Sequence, residues 1–243
     1  MTMPRPPAPE VKQVSRGGPP LALIGGVVVL LVVLIGVLVW AATRGGGLDA
    51  TGSSSTLPDG GGVSVGPGVD ADVAQVRIYE DFQCPWCGRL ENSVGDQLTE
   101  KAEAGEVNLT FQIMSFLDGS LGNDSSTRAA NAALCADDAG VFVPFHASVY
   151  ANMGQEGQGY TDEQFVQWAQ DAGLAGGELE TFQQCVADDT HADYVEAMQE
   201  RANRDGVTGT PTMVVNGTTI GNEEMSRLMQ DPGALDSILE AHS

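Results

Sequence analysis

The stretch Glu80-Asp81-Phe82-Gln83-Cys84-Pro85-Trp86-Cys87 decides how the rest of the chain is read, because it lies between a strand-like run and a helix-like one. Before it, Val76-Arg77-Ile78-Tyr79 alternates apolar and polar residues with the two-residue period of a half-buried strand. After it, Arg89 to Ala104 carries Leu90, Val94, Leu98 and Ala102 at every fourth position, the spacing of one helix face. Pro85 falls at the first helical position, where its fixed φ suits the helix and its missing N–H costs no bond. Cys84 is thereby placed at the helix N-terminus, where unpaired N–H groups and the positive end of the helix dipole favour a thiolate. Cys87, nearly one turn further in, is expected to be the more buried. A CxxC by itself is compatible with a redox pair, half of a zinc site or coincidence; its position between a strand and a helix favours the redox pair.

Working outward, the composition divides the chain. Residues 1–20 are rich in proline and poor in apolar side chains, and read as a disordered cytoplasmic tail. Residues 21–43 are apolar almost throughout, and Leu21 to Ala42 would make a helix of roughly 33 Å, enough to cross a bilayer's hydrocarbon core. A cleaved signal peptide is the competing reading, with Val39-Trp40-Ala41 as its cleavage site, but the run is longer than the usual signal core. Arg5, Lys12 and Arg16 precede the run and only Arg44 closely follows it, which keeps the tail inside and exports the remainder. Residues 44–70 turn to Gly, Ser, Pro and Asp, the composition of a flexible tether, and the folded domain is expected over 71–243.

The formal charge of the chain is -22, with 33 acidic residues against 11 basic ones. Such a balance excludes nucleic acid as a partner. All four cysteines, Cys84, Cys87, Cys135 and Cys185, follow the apolar run, and an even number on an oxidising side suits two disulfides.

Within the domain, Val107 to Phe116 is rich in β-branched and aromatic residues and reads as a buried strand, parallel to the one before Cys84 because a helix joins them. Helical patterns follow over Ser125–Asp138, Val141–Met153, Gly177–Val186 and His191–Asn203, and Thr161-Asp162-Glu163-Gln164 has the form of a helix start. Thr212-Met213-Val214-Val215 then returns to strand, Asn216-Gly217 signals a hairpin turn, and Glu223 to His242 reads as a helix interrupted at Asp231-Pro232-Gly233. The order β-α-β, helices, β-hairpin, helix is that of an α/β, thioredoxin-like fold with a helical insertion at about 117–205, here preceded by a single transmembrane helix.

Asp81-Phe82-Gln83-Cys84-Pro85-Trp86-Cys87 and Gly206-Val207-Thr208-Gly209-Thr210-Pro211-Thr212 resemble the paired signatures of DsbA-type thiol–disulfide oxidoreductases. Ala129 to Cys135, Phe142 to His146 and Phe182 to Cys185 resemble that family's insertion. The resemblance implies that Cys84 and Cys87 are catalytic, with Pro85 and Trp86 between them and Thr210 and a cis Pro211 facing them. It implies an extracytoplasmic enzyme that forms disulfides in reduced exported proteins, needs no cofactor of its own, and is reoxidised by a membrane quinone reductase of the DsbB or vitamin-K-epoxide-reductase type. A reductase or isomerase of the same fold, and a non-catalytic binding module with structural disulfides, are the alternatives. Two departures stand out: Trp86 replaces a histidine of the best-known members, and Ile78 stands where many relatives carry a buried acid. Glu80 and Asp81 lie nearer the cysteines and would raise the Cys84 pKa if they faced it.

Cys135 and Cys185 each lie in a helix-like run without a CxxC partner and read as a structural disulfide. The competing reading joins them to His146 or His191 in a metal site, although their spacing lacks the close ligand pairs of zinc sites. His146 lies on an aromatic helix face and reads as a packed core residue, while His191 and His242 carry no assigned role. Asn-x-Ser/Thr triplets at Asn108, Asn123 and Asn216 are short enough to be chance.

Overall fold

The computed structural model describes residues 61–242. The expected tail, the transmembrane helix and most of the tether fall outside the described residues. Among the described residues no helix is long and apolar enough to cross a membrane.

The elements follow in the order β1 (Val63–Val65), β2 (Ala74–Glu80), α1 (Pro85–Leu90), a π-helical turn (Glu91–Gly95), α2 (Asp96–Glu103), β3 (Val107–Ile113), α3 (Asp118–Leu121), α4 (Ser125–Asp138), α5 (Phe142–Ala151), α6 (Asp162–Asp171), α7 (Gly176–Ala187) and α8 (Ala192–Arg204). Then come β4 (Thr212–Val215), β5 (Thr218–Thr219), α9 (Asn222–Leu228), a 3-10 turn (Pro232–Ala234) and α10 (Leu235–Ala241). The five strands lie side by side as β1-β3-β2-β4-β5. β2 and β3 run parallel, as the connecting helix requires, with Val76 opposite Leu109 and Ile78 opposite Phe111. β4 runs antiparallel to β2 and turns back into β5 through Asn216 and Gly217, both at positive φ, the conformation that a two-residue hairpin demands.

All seven residues of β3 are buried, so the sheet is covered on both faces there. Its odd-numbered residues are apolar, and Phe111 packs its ring against Phe142 and His146 of α5. Its polar residues look the other way, and Asn108 and Gln112 among them are bonded. Gln112 donates to the Met198 carbonyl of α8 at 3.1 Å and accepts from Arg77 at 2.8 Å. Asn108 joins Ser64, Gly68 and Gln75. A polar face on a central strand is tolerated because its groups find partners.

Three details depart from the sequence reading. Val63–Val65 lies inside the segment read as tether, yet it is a buried strand antiparallel to β3. Three residues between Gly62 and Gly66 are too few to show a period, and their burial comes from a partner 44 or more residues away in the chain. The strand beginning at Val107 stops at Ile113, three residues before Phe116, which is 41% exposed. The helix after the CxxC is interrupted by the π turn at Glu91–Gly95, which four-residue spacing does not reveal. Thr161, by contrast, starts α6 as expected: its backbone N–H donates to Gln164 Oε1 at 2.9 Å and its hydroxyl accepts from the Gln164 N–H at 3.4 Å.

Candidate active site

Cys84 is the N-cap of α1, with an extended backbone (φ -84, ψ 114) and Pro85 next to it at the helix start. Its carbonyl accepts the Cys87 and Gly88 N–H groups at 3.1 and 3.2 Å, closing the first turn. Both thiols are free and buried, Cys84 with 5% of its surface exposed and Cys87 with 2%. Their chemistry differs. The Cys87 thiol hydrogen-bonding to Cys84 holds the latter's pKa down to about 6 from the usual 9.0, against the opposing effect of burial, with help from Thr210 and the Cys87 and Trp86 backbone. Cys87 is pushed well above 9.0, first by its own burial, then by Cys84 and the carboxylate of Glu80. One sulfur is ionised near neutral pH and the other protonated.

The segment before the pair is pinned by the insertion. Asp81, fully buried, accepts from the Gln83 N–H at 2.8 Å, the Ser126 hydroxyl at 2.7 Å and the Leu117 N–H at 2.9 Å. Burial raises its pKa to about 6 despite these donors. The Gln83 amide bonds to Ser126, Asp118 and Asn123, and the Tyr160 hydroxyl donates to the Phe82 carbonyl at 2.5 Å. Apart from the Gln83 N–H, whose partner is two residues away, these contacts bridge 35 to 78 residues, and none of those is visible in the local pattern.

On the opposite side, the Thr210-Pro211 peptide is cis, and the Thr210 carbonyl lies 3.3 Å from Cys84 Sγ. Trp86 is 55% exposed, with the Arg89 guanidinium 4.9 Å above its ring. The geometry thus brings Cys84, Cys87, Pro85, Trp86, Thr210 and Pro211 to one place. Cys135 and Cys185 lie elsewhere, bonded to each other between α4 and α7 with a Cα–Cα distance of 5.9 Å. A His191 ring nitrogen comes within 4.8 Å of both sulfurs, but these are spent on one another as a disulfide. His191 Nε2 lies 2.7 Å from Asp138, and its backbone N–H donates to Asn131 at 2.8 Å.

His146 is the packed core residue that its aromatic helix face implied, and it also has charged partners. It is buried among Phe82, Phe111, Phe142 and Tyr150 as a core residue would be, yet its Nε2 is 2.6 Å from Glu80 and its Nδ1 3.5 Å from Glu91. Burial favours the neutral ring, but Glu80 and then Glu91 outweigh it and lift His146 to about 10. Glu80 is itself raised by complete burial, with His146 pulling it back, so the pair shares a proton. Glu80 therefore bears on Cys87 rather than on Cys84. The sequence pattern carries no sign of this cluster, because an aromatic helix face reads the same with or without a buried carboxylate opposite.

Two thiols of unequal pKa at a helix start, on a five-stranded mixed sheet with a helical insertion, define a thioredoxin-fold thiol–disulfide oxidoreductase. The chain belongs to the thioredoxin family: the family model described as Thioredoxin (Thioredoxin_4) matches residues 68–231. Among solved structures it is similar to the reduced disulfide bond oxidoreductase DsbG of Mycobacterium tuberculosis, at 25% identity and a TM-score of 0.58, covering 78% of this chain and 98% of that one. Oxidised DsbA of Mycobacterium tuberculosis matches at 26% identity and a TM-score of 0.55, over 73% and 93% of the two chains. The thiol–disulfide oxidoreductase MdbA of Corynebacterium diphtheriae shares the fold at 20% identity and a TM-score of 0.59, over 76% and 92%. A curated relative, the Na(+)/H(+) antiporter NhaA 1 of Salinispora arenicola (strain CNS-205), is 28% identical over 139 residues; they make up 57% of this chain but only 19% of the antiporter. The enzyme is a thiol–disulfide oxidoreductase of the DsbA type.

Proposed function

We propose that this enzyme forms disulfide bonds in exported proteins, held by an N-terminal membrane helix with its catalytic domain on the extracytoplasmic side. The observation that carries the reading is the asymmetry of the two thiols, Cys84 lowered to about 6 and Cys87 raised. A substrate thiolate attacks Cys84 Sγ of the oxidised enzyme; the Cys84–Cys87 bond breaks, its electron pair passes to Cys87, and that sulfur takes up a proton. The substrate's second thiolate then attacks the substrate sulfur of the mixed disulfide and expels Cys84 as a thiolate. The low pKa of Cys84 makes it the better leaving group and drives the second step forward. The products are an oxidised substrate and a dithiol enzyme. Return to the disulfide removes two electrons, which the reading assigns to a membrane quinone reductase of the DsbB or vitamin-K-epoxide-reductase type. Exposed Trp86 and the Thr210-Pro211 segment flank the sulfur that the substrate meets.

Cysteine replacement in cells tests the assignment. Cys87→Ala should accumulate mixed disulfides with exported proteins through Cys84, resolvable on non-reducing gels, and Cys84→Ala should not. Accumulation on Cys84→Ala alone would reverse the two roles.

A further inference from the structure

The second cysteine pair has chemical neighbours of its own. Cys135 lies on α4 three residues before Asp138, so the two share a face of that helix. Cys185 lies near the end of α7, which closes in a left-handed turn: Asp189 has φ 47, and the Thr190 N–H donates to the Cys185 carbonyl at 3.2 Å. The turn leads directly to His191, the N-cap of α8. There His191 is tied twice to α4. Its backbone N–H donates to Asn131 Oδ1 at 2.8 Å, and its Nε2 lies 2.7 Å from Asp138 Oδ2. The ring is thereby held in place, its side chain 8% exposed, with a nitrogen within 4.8 Å of both sulfurs.

Solvent reaches this place. A cavity of about 270 Å³ lies against the bridge, lined by Cys135, Asp138, Glu178, Thr181, Phe182 and Cys185. Cys135 has 2% of its surface exposed, whereas Cys185 is half-buried, so a small thiol meets the bridge from the Cys185 side.

We propose that Cys135, Cys185 and His191 form a zinc site that takes the place of the disulfide when the bridge is reduced. The site does not depend on the redox reading of Cys84 and Cys87. A dithiol supplies the electrons. One of its thiolates attacks Cys185 Sγ, the sulfur–sulfur bond breaks, and the electron pair passes to Cys135 Sγ. The second thiolate of the reductant attacks its own sulfur in the mixed disulfide and expels Cys185 Sγ, so the reductant leaves as a disulfide and its two protons end on Cys135 and Cys185. Zinc displaces those two protons and binds both thiolates and the imidazole, with a water from the cavity as fourth ligand. The two Cα atoms are 5.9 Å apart on helices packed against each other, so the sulfurs stay close after the bond opens. Zinc–sulfur bonds of about 2.3 Å then need side-chain rotation rather than helix movement. Two thiolates and an imidazole form a donor set that suits zinc and rejects magnesium and calcium. Asp138 is a positioning residue: its carboxylate orients the His191 ring, as such partners do for zinc-bound histidines. Bound zinc re-joins α4 to α7, and metal and disulfide exclude one another because both use the same two sulfurs.

The test uses the full chain in detergent, carrying Cys84→Ser and Cys87→Ser so that the first pair offers no thiolate to a metal. The protein is reduced with dithiothreitol, which is then removed by anaerobic gel filtration. Cobalt(II) and zinc are the probes. One equivalent of cobalt should give the visible ligand-field bands and the near-ultraviolet thiolate charge-transfer absorption of a tetrahedral site, and zinc should bleach both. His191→Ala and Asp138→Asn should each weaken zinc about tenfold or more in competition with cobalt. Zinc should raise the melting temperature of the reduced protein and leave that of the oxidised protein unchanged. The Asp138 side chain is 42% exposed, and Asp138→Asn keeps all three ligands, so its result does not depend on the fold tolerating the loss of one. No tetrahedral cobalt spectrum, or metal held equally well by the parent and both variants, as an unfolded dithiol would hold it, would overturn the site. Equal stabilisation of the oxidised protein by zinc would overturn it too.

Discussion

Raising the pH from 7 to 8 should lower the midpoint potential of the Cys84–Cys87 couple by only about 30 mV. The magnitude follows from the two thiols. Reduction takes two electrons, and the number of protons accompanying them equals the number that the dithiol binds. Below the Cys84 pKa of about 6 both sulfurs hold a proton. Above it only Cys87 does, because burial and the charges of Cys84 and Glu80 keep it protonated. For a two-electron couple each tenfold change in proton activity is worth about 30 mV per proton, so the slope is about 59 mV per pH unit below the break and about 30 mV above it. The same shift makes the reduced fold the more stable one near neutral pH. A thiol whose folded pKa lies below its unfolded value of 9.0 adds stability that is complete above pH 9 and fades as pH falls through about 6. The disulfide form has no Cys84 proton to bind, so the melting gap between reduced and oxidised protein should narrow over that window. The assay is equilibration in dithiol–disulfide buffers from pH 5 to 9, trapping with an alkylating agent and weighing by mass, with Cys135–Cys185 left intact. A slope of about 59 mV throughout, or a break displaced to pH 8 or 9, would refute the claim that the Cys87 thiol, with Thr210 and the backbone at the helix start, ionises Cys84.

Two further perturbations test the scaffold. Cys135→Ala with Cys185→Ala opens a loop of 50 residues and should cost about 4 kcal/mol in the chain-entropy account, a fall of about 8 to 16 °C in melting temperature for a domain of this size. Calorimetry checks it, and a fall under about 2 °C would show that the helices hold the insertion unaided. Asp81→Asn leaves one carboxylate oxygen's worth of donors unmet, the Leu117 N–H among them, and should cost about 1–3 kcal/mol by urea unfolding. Asp81 titrates near 6 when folded against 3.8 otherwise, so wild type gains stability from this group as pH falls from about 6 toward 3.8. The Asn variant should lack that gain, and an identical pH dependence in the two proteins would exclude the buried carboxylate as its source.

Elements set by neighbours in the chain were legible in the sequence. Pro85 at a helix start, the period of Leu90, Val94, Leu98 and Ala102, the capping of α6 by Thr161 and the turn at Asn216-Gly217 each depend on residues two to four positions apart, and each leaves a short-range pattern. So does the N-cap place of Cys84, which alone argues for a favoured thiolate. The joining of Cys135 to Cys185 followed from an even cysteine count and from the lack of a CxxC partner at either position, and the structure bears it out. What only the tertiary structure decided is the company of buried charges. Glu80 meets His146 across 66 residues, and Asp81 meets Ser126 across 45; in both, burial decides whether the carboxylate is a surface charge or part of the site. A strand's alternation tells which side Glu80 lies on but not what waits there. The strand Val63–Val65 shows the same limit at the level of the fold: three residues have no period of their own, and it is pairing with β3 that makes them part of the sheet, since an edge needs backbone partners more than it needs a pattern.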